Sequence, residues 1–382
     1  MSSFFRGAGL RRRLLGGLGL IFLLAGGAWL LRWLFFLSAL ESTDDAYVSG
    51  NQARVSAQIG GNIREIFADN TQAVLAGQLL LRLEDTDARL ALSGARAALA
   101  DTVRRTLGLI LESGRLSAVA EQRRLEYEKA ESDYARRRER RTAMAVSEEE
   151  LSHARDNVGI ARAALEEARM ALKANQALVG EGPVPSQPQV VLAADRVREA
   201  WLSLKRCEIT SPVAGFVARR SAQAGLHVAP GQPLLAVVPL SEIWVEANFK
   251  EVQLSRMRLG QPAEIRTDFY GGAVVYHGTV AGFTAGTGSS FSLLPPENAT
   301  GNWIKVIQRV PVKIALRPDE LAANPLLLGL SCLVSVDVSD SNGPLLAPVT
   351  ETPAIYATEA LTLDLSAINA EIEGIIRENS GR

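Results

Sequence analysis

Leu151, Val158, Leu165, Leu172 and Val179 recur every seventh residue. Ala154, Ala161 and Ala168 follow the first three of them by three positions, with Asn175 after the fourth. Apolar residues in this a/d spacing form one seam along a helix. Small residues at d let a partner helix come close. Glu149, Glu150, Arg155, Arg162, Glu166, Glu167 and Arg169 fall off the seam, on solvated faces. Residues 87–141 carry a weaker seam of Leu92, Leu99, Leu109, Leu116, Ala130 and Tyr134, interrupted by Arg123 and Arg137 at d-type positions. The pattern predicts one long helical excursion over residues 87–206. An arm of about 55 residues at ~1.5 Å each makes a rod on the order of 80 Å. Such a seam suits a dimerisation coil or a hairpin folded back on itself.

A different pattern occupies the N-terminus. Residues 14–40 contain one charge, Arg32. The uncharged part, 14–31, spans about 27 Å as a helix, close to the hydrocarbon thickness of a bilayer. Arg6, Arg11, Arg12 and Arg13 precede it, and Glu41, Asp44 and Asp45 follow. The positive-inside rule then assigns residues 1–13 to the cytoplasm and everything after residue 40 to the other side. Arg32 can snorkel to the far interface beside Trp29 and Trp33. The apolar region of a cleaved signal peptide is shorter, about 7–15 residues. An uncleaved membrane anchor that crosses once is therefore expected.

Residues 55–84 laid on 209–238 match at a constant offset of 154, without a gap. Gly61 meets Gly215, Ala68 meets Ala222 and Val74 meets Val228. Gly77-Gln78 meets Gly231-Gln232, and Leu80-Leu81 meets Leu234-Leu235. Each half alternates short apolar runs with glycines, and turns are expected at Gly61, Gly77, Gly215 and Gly231. Pro230-Gly231 suits the centre of a type II turn. Three or four short strands cannot bury their own apolar face. The halves are expected to pack on each other, so the roughly 120 residues between them must leave and return. That favours a hairpin over a dimer coil.

The reversal is expected at residues 142–147, where Thr142-Ala143-Met144-Ala145-Val146 is uncharged. Ser147 followed by Glu148, Glu149 and Glu150 is an N-cap with a capping box, so the return helix should begin there. The return arm breaks at 180–189, where three prolines and two glycines cannot continue a helix. It resumes near Val190. Residues 240–340 alternate apolar and polar positions in short runs, at 243–249, 264–267, 278–282, 304–316 and 331–338, as a small β-barrel would. A strand at 46–54 would complete it. In the tail, 341–382, Leu365, Ile368, Ile372 and Ile375 make a short amphipathic helix that either docks or stays loose.

Composition narrows the chemistry. A chain of 382 residues holds two to four domains, and its net charge of −1 gives no reason to expect nucleic acid. Cys207 and Cys332 are far apart, and His153, His227 and His277 are scattered singly. No nucleophile motif, paired carboxylates or metal spacing is present. Gly286-Thr287-Gly288-Ser289-Ser290 lacks the lysine of a phosphate loop. No enzyme and no cofactor are expected.

Paired β halves around a helical excursion resemble a biotinyl/lipoyl domain split by a hairpin. This is the plan of the HlyD-family periplasmic adaptors, or membrane fusion proteins. Thr43-Asp44-Asp45-Ala46-Tyr47-Val48, Phe249-Lys250-Glu251, residues 296–303 and Val310-Pro311-Val312-Lys313-Ile314 resemble the EmrA type in particular, which serves major-facilitator drug exporters. A biotin or lipoate carrier needs a lysine at a hairpin tip. Neither half has one, and the nearest is Lys205. The resemblance implies an elongated α+β fold. Its parts would be a cytoplasmic tail (1–13), a transmembrane anchor (14–40), a linker and first barrel strand (41–54), lipoyl-like half 1 (55–86), a coiled-coil hairpin (87–206), lipoyl-like half 2 (207–239), a β-barrel (240–340) and a tail. It further implies that the hairpin tip docks on a TolC-like outer-membrane channel. The relatives' pattern there is arginine, leucine, serine and an apolar residue. Arg136, Ser147 and Leu151 stand at three of these places, Arg140 stands where the leucine belongs, and Met144 stands where many relatives have glycine. Val146 completes the tip. The implied partners are an inner-membrane exporter of the major-facilitator type, the TolC-like channel, further copies in a homo-oligomer, and the membrane. An adaptor for ATP-driven type I protein secretion and a membrane-anchored scaffold coil remain alternatives.

Overall fold

The computed structural model describes residues 7–32, 39–141, 146–179, 182–288, 290, 307–348 and 356–381. Helix α1 (Gly7–Arg32) precedes β1 (Leu40–Gly50). Four strands follow: β2 (Ala53–Ser56), β3 (Gly61–Ile66), β4 (Ala73–Val74) and β5 (Leu79–Leu83). Three helices come next, α2 (Thr86–Arg141), α3 (Glu148–Gln176) and α4 (Pro188–Lys205), with a 3-10 turn at Val184–Ser186. Then come β6 (Glu208–Thr210), β7 (Gly215–Arg220), β8 (His227–Val228) and β9 (Pro233–Val238). The last third holds β10 (Ile243–Lys250), β11 (Pro262–Thr267), β12 (Tyr276–Phe283), β13 (Arg309–Leu316), α5 (Pro318–Ala323), β14 (Ser331–Asp337) and α6 (Ser366–Asn379).

The two halves meet as expected. They form two four-stranded sheets, β2–β9–β7–β4 and β6–β5–β3–β8, each built from both halves. The 154-residue offset carries over to the strand register. Val55 pairs with Leu235, and Ile209 pairs with Leu81. Val74 pairs with Gly215, and Val228 pairs with Gly61. Gly77 N–H donates to Ser211 O and Gly231 N–H to Ala57 O, both at 2.8 Å. The sandwich therefore has a local two-fold pseudosymmetry with one shared core, in which Leu80, Leu83, Leu234 and Val237 are buried.

Two glycines behave differently from the expectation. Gly61 and Gly215 open strands β3 and β7 and are not turn residues. Gly215 is required because a Cβ there would lie 2.4 Å from Val238 O. Gly77 and Gly231 do sit in turns, at φ 77° and 83°. In the second turn Gln232 N–H donates to Ala229 O at 3.1 Å, as a type II turn at Pro230-Gly231 requires.

Six strands close a barrel in the ring order β1–β10–β13–β12–β11–β14. Period-two burial drives it: β10 alternates buried Ile243, Val245, Ala247 and Phe249 with more exposed residues. The first barrel strand begins at Leu40, earlier than expected, and ends at Gly50, because β1 pairs with β14 at one end and β10 at the other. Ala53 and Arg54, expected in the barrel, belong instead to β2 and pair with β9. A register shift between Thr43 and Ala46 accommodates Asp44-Asp45. Asp45 accepts from Asn248 Nδ2 at 3.1 Å and from Arg309 Nη1 at 2.9 Å.

Helix α2 packs along α3 and then α4, so the excursion is an antiparallel hairpin. The return seam is borne out position by position. Ala154, Leu165, Ala168 and Asn175 are buried, while Leu151, Val158, Ala161, Leu172 and Val179 are half-buried. Asn175 is paired across the seam, donating to Leu109 O at 3.1 Å. On α2, Arg123 is exposed and salt-bridged to Glu126, so it leaves the seam open. The C-terminal helix docks: Ile368, Ile372 and Ile376 are buried against α2 and α4. Among the described residues, no helix is long and apolar enough to cross a membrane. Leu14, Leu18, Phe22 and Leu23 on α1 are exposed. The expected anchor extends onto residues 33–38, and the segment 296–303 lies within 291–306; both stretches are outside the described residues.

Candidate functional site: the hairpin tip

The far end of the rod is built from two helix termini of opposite charge. Helix α2 ends in a run holding Arg136, Arg137, Arg138, Arg140 and Arg141. Helix α3 starts with Glu148, Glu149 and Glu150. Cations at a helix C-terminus and anions at an N-terminus each oppose the local end of the macrodipole, so both arms are stabilised where they terminate. Asp133 ties down the base of the arginine run, 2.9 Å from Arg137 and 3.5 Å from Arg136. The start of the return arm is fixed by a full capping box. Ser147 Oγ accepts from Glu150 N–H at 3.2 Å, and Glu150 Oε2 accepts from Ser147 N–H at 3.1 Å.

The hairpin brings Arg136, Arg140, Val146, Ser147 and Leu151 to this one end. Arg136, Arg140 and Ser147 are exposed, and Val146 and Leu151 are half-buried. Leu151 opens the seam, so it is anchored from below while its neighbours face solvent. Met144, with residues 142–145, lies outside the described residues. The tip thus offers hydrogen-bonding and ionic groups on a stiff support. Among its described residues it holds no constellation for bond chemistry.

The rest of the described residues are equally poor in reactive groups. Cys207 is buried in the sandwich and Cys332 in the barrel, both as free thiols. Burial pushes the Cys207 thiol up and the Cys332 thiol to about 11, so neither is a ready nucleophile. Among the described residues no cluster of histidine, cysteine and carboxylates has metal-site geometry.

At the root of the rod, Asp85 stands just before α2; Arg89 Nε donates to it at 2.8 Å, and the Arg64 guanidinium forms a longer ion pair with it at 3.9 Å. The Arg89 hydrogen bond holds the Asp85 carboxyl below its ordinary range. Sequence reasoning missed what braces this root. Glu371 of α6 pairs with Arg96, and Asn369 accepts from Arg198 Nε at 2.8 Å. The signal was the four-residue spacing of Ile368, Ile372 and Ile376.

Residues 86–207 match the family of EmrA α-helical hairpin domains. The chain is 45% identical over 349 residues to the multidrug export protein EmrA of Escherichia coli (strain K12), covering 91% of this chain and 90% of that protein. It is 44% identical over 373 residues to the probable multidrug resistance protein EmrK of the same organism, covering 97% and 96%. It is 43% identical over 371 residues to the fatty acid resistance protein FarA of Neisseria gonorrhoeae, covering 97% and 93%.

Proposed function

Because the chain belongs to the EmrA type of the HlyD family of membrane fusion proteins, we propose that it is the periplasmic adaptor of a multidrug efflux pump. It links an inner-membrane exporter of the major-facilitator type to a TolC-like outer-membrane channel. It acts as a connector and not as an enzyme. The observation that carries this reading is the shared sandwich: both ends of the excursion return to one domain, so the rod projects from that domain as a bridge. Helix α2 alone has 56 residues, about 84 Å of rise.

Helix α1 is the membrane anchor in this reading. Its 26 residues rise about 39 Å, and among the described residues nothing covers its exposed leucines and phenylalanine. Arginines at its start and carboxylates after it orient the chain with the barrel, sandwich and rod in the periplasm. The barrel sits at the membrane end, where the exporter is. Several copies side by side enclose the duct, with energy supplied by the exporter.

A photo-crosslinker at Ser147 in intact cells tests the tip. The expected product is an adduct with an outer-membrane channel; homotypic adducts alone would make the chain a scaffold coil. Val158→Asp together with Leu165→Asp puts two charges into the seam and is expected to abolish drug export at unchanged membrane abundance.

A further inference from the structure

The pseudosymmetry makes each sheet of the sandwich an internal control for the other. On sheet β6–β5–β3–β8, Glu208, Arg82 and Glu65 stand in one cross-strand row. Arg82 pairs with both flanking carboxylates, at 2.6 Å to Glu65 and 3.9 Å to Glu208. The same row on sheet β2–β9–β7–β4 is Arg54, Ala236 and Arg219. The flanking charges are reversed and the central ion is missing. Both arginines are exposed. Among the described residues, neither has a carboxylate within ion-pair distance.

The surface beside the row also differs. Phe216 and Ala218 stand where the other sheet has Asn62 and Arg64, and Val238 stands where it has Glu84. Leu327 and Leu328, from the loop between α5 and β14, form the facing wall. The trough between sheet and loop is open to solvent on one side and offers about 1060 Å³, slightly more than the roughly 300–1,000 Å³ of small-molecule sites. Phe216 is 43% and Leu327 51% exposed.

Strand spacing puts the backbones of Arg54 and Arg219 roughly 10 Å apart across Ala236. An anionic group above Ala236 is within reach of both guanidinium forks, and charge-assisted bonds of that kind are strong and directional. A hydrophilic anion would gain nothing from Phe216, and a neutral apolar molecule nothing from the arginines. We propose that this trough binds an amphiphilic organic anion, its carboxylate or sulfonate over Ala236 between Arg54 and Arg219 and its apolar body along Phe216 and Leu327. The site goes beyond the adaptor role and needs neither exporter nor channel.

The test uses the full chain in nanodiscs with dansylated undecanoic acid and its methyl ester as probes, reading the saturable fluorescence above empty nanodiscs. Arg54→Gln with Arg219→Gln is expected to weaken binding of the acid at least tenfold and to leave the ester within twofold. Ala236→Glu supplies the missing carboxylate from the protein itself and is expected to abolish binding of the acid. Arg64→Gln, on the opposite sheet, should change neither. Equal binding of the acid by wild type and Ala236→Glu overturns the proposal. So does parallel weakening of acid and ester, which would mean an apolar patch only. So does a sedimentation change in the double arginine variant with acid binding intact, which would make the trough a contact between copies. Should Ala236→Glu not fold, the exposed arginine pair decides alone. Crosslinking from Ser147 is unaffected by every one of these outcomes, so the adaptor reading stands or falls separately.

Discussion

Replacing Ile372 by alanine is expected to release the C-terminal helix from the root of the rod. Helix α6 has 14 residues, and a helix of that length is marginal by itself in water. Its order therefore depends on what it packs against. Ile368, Ile372 and Ile376 are buried against α2 and α4, with Ile372 only 2% exposed. Truncating a buried isoleucine to alanine costs about 2–5 kcal/mol. The polar contacts are weaker. Arg96 grips Glu371 at 2.5 and 2.8 Å, but the two side chains are 41% and 39% exposed. At that exposure an ion pair is worth about 0–1 kcal/mol. The apolar contacts should dominate.

Amide hydrogen exchange over residues 366–379 separates the two contributions. Each 1.36 kcal/mol is about tenfold in the opening equilibrium. Ile372→Ala is expected to speed exchange there by about 30-fold to a few thousandfold. Glu371→Ala should change it by no more than about fivefold. Equal acceleration by both variants would refute the reasoning and make the docking ionic. No acceleration by either would mean that α6 is not held by this contact.

Three further outcomes follow from the same structure. Gly215→Ala is expected to lower stability by about 1–3 kcal/mol, because its Cβ would meet Val238 O at 2.4 Å, whereas Gly61→Ala, with nothing nearer than 3.7 Å, should stay within about 1 kcal/mol in the same denaturant titration. Thr71 has φ 70°, while its counterpart Gly225 has φ 82°; Thr71→Gly should raise stability by about 0.5–1 kcal/mol through relief of left-handed strain, and Gly225→Thr should lower it. The depressed Asp85 carboxyl contributes stability that is complete above its unfolded value, about 3.9, and is lost as pH falls through the lower folded value; acid melting below about pH 4 should therefore flatten in Asp85→Asn.

The rod and the sandwich were legible in the sequence for different reasons. A seam with a seven-residue period records a helix–helix contact directly, and Leu165, Ala168 and Asn175 are buried where that period puts them. The capping box at Ser147 is local chemistry and needs no tertiary knowledge. The repeat at offset 154 predicted pairing because neither half had enough strands alone. What stayed hidden was set by contacts distant in sequence. Gly61 and Gly215 look like turn glycines, but the second is small because a neighbouring strand's carbonyl presses on it. The start of β1 at Leu40 depends on β14, nearly 300 residues away. The docking of α6 was undecided because an amphipathic face names no partner.

The pseudosymmetry also explains why the tip and the trough differed in legibility. Inward positions of the two halves share one core, so Val217 matches Ile63 and Val237 matches Leu83 in character as well as in register. Outward positions carry no such constraint, because a strand's two faces alternate and only one is packed. The offset comparison therefore finds the fold by its agreements. Its disagreements, with Arg54, Ala236 and Arg219 set against Glu208, Arg82 and Glu65, lie on the faces that packing leaves free. A duplicated scaffold can hold its core while its outward faces diverge, so each face is free to carry its own chemistry. The tip lies outside the duplicated halves and has no such counterpart, so only its own local chemistry could be read.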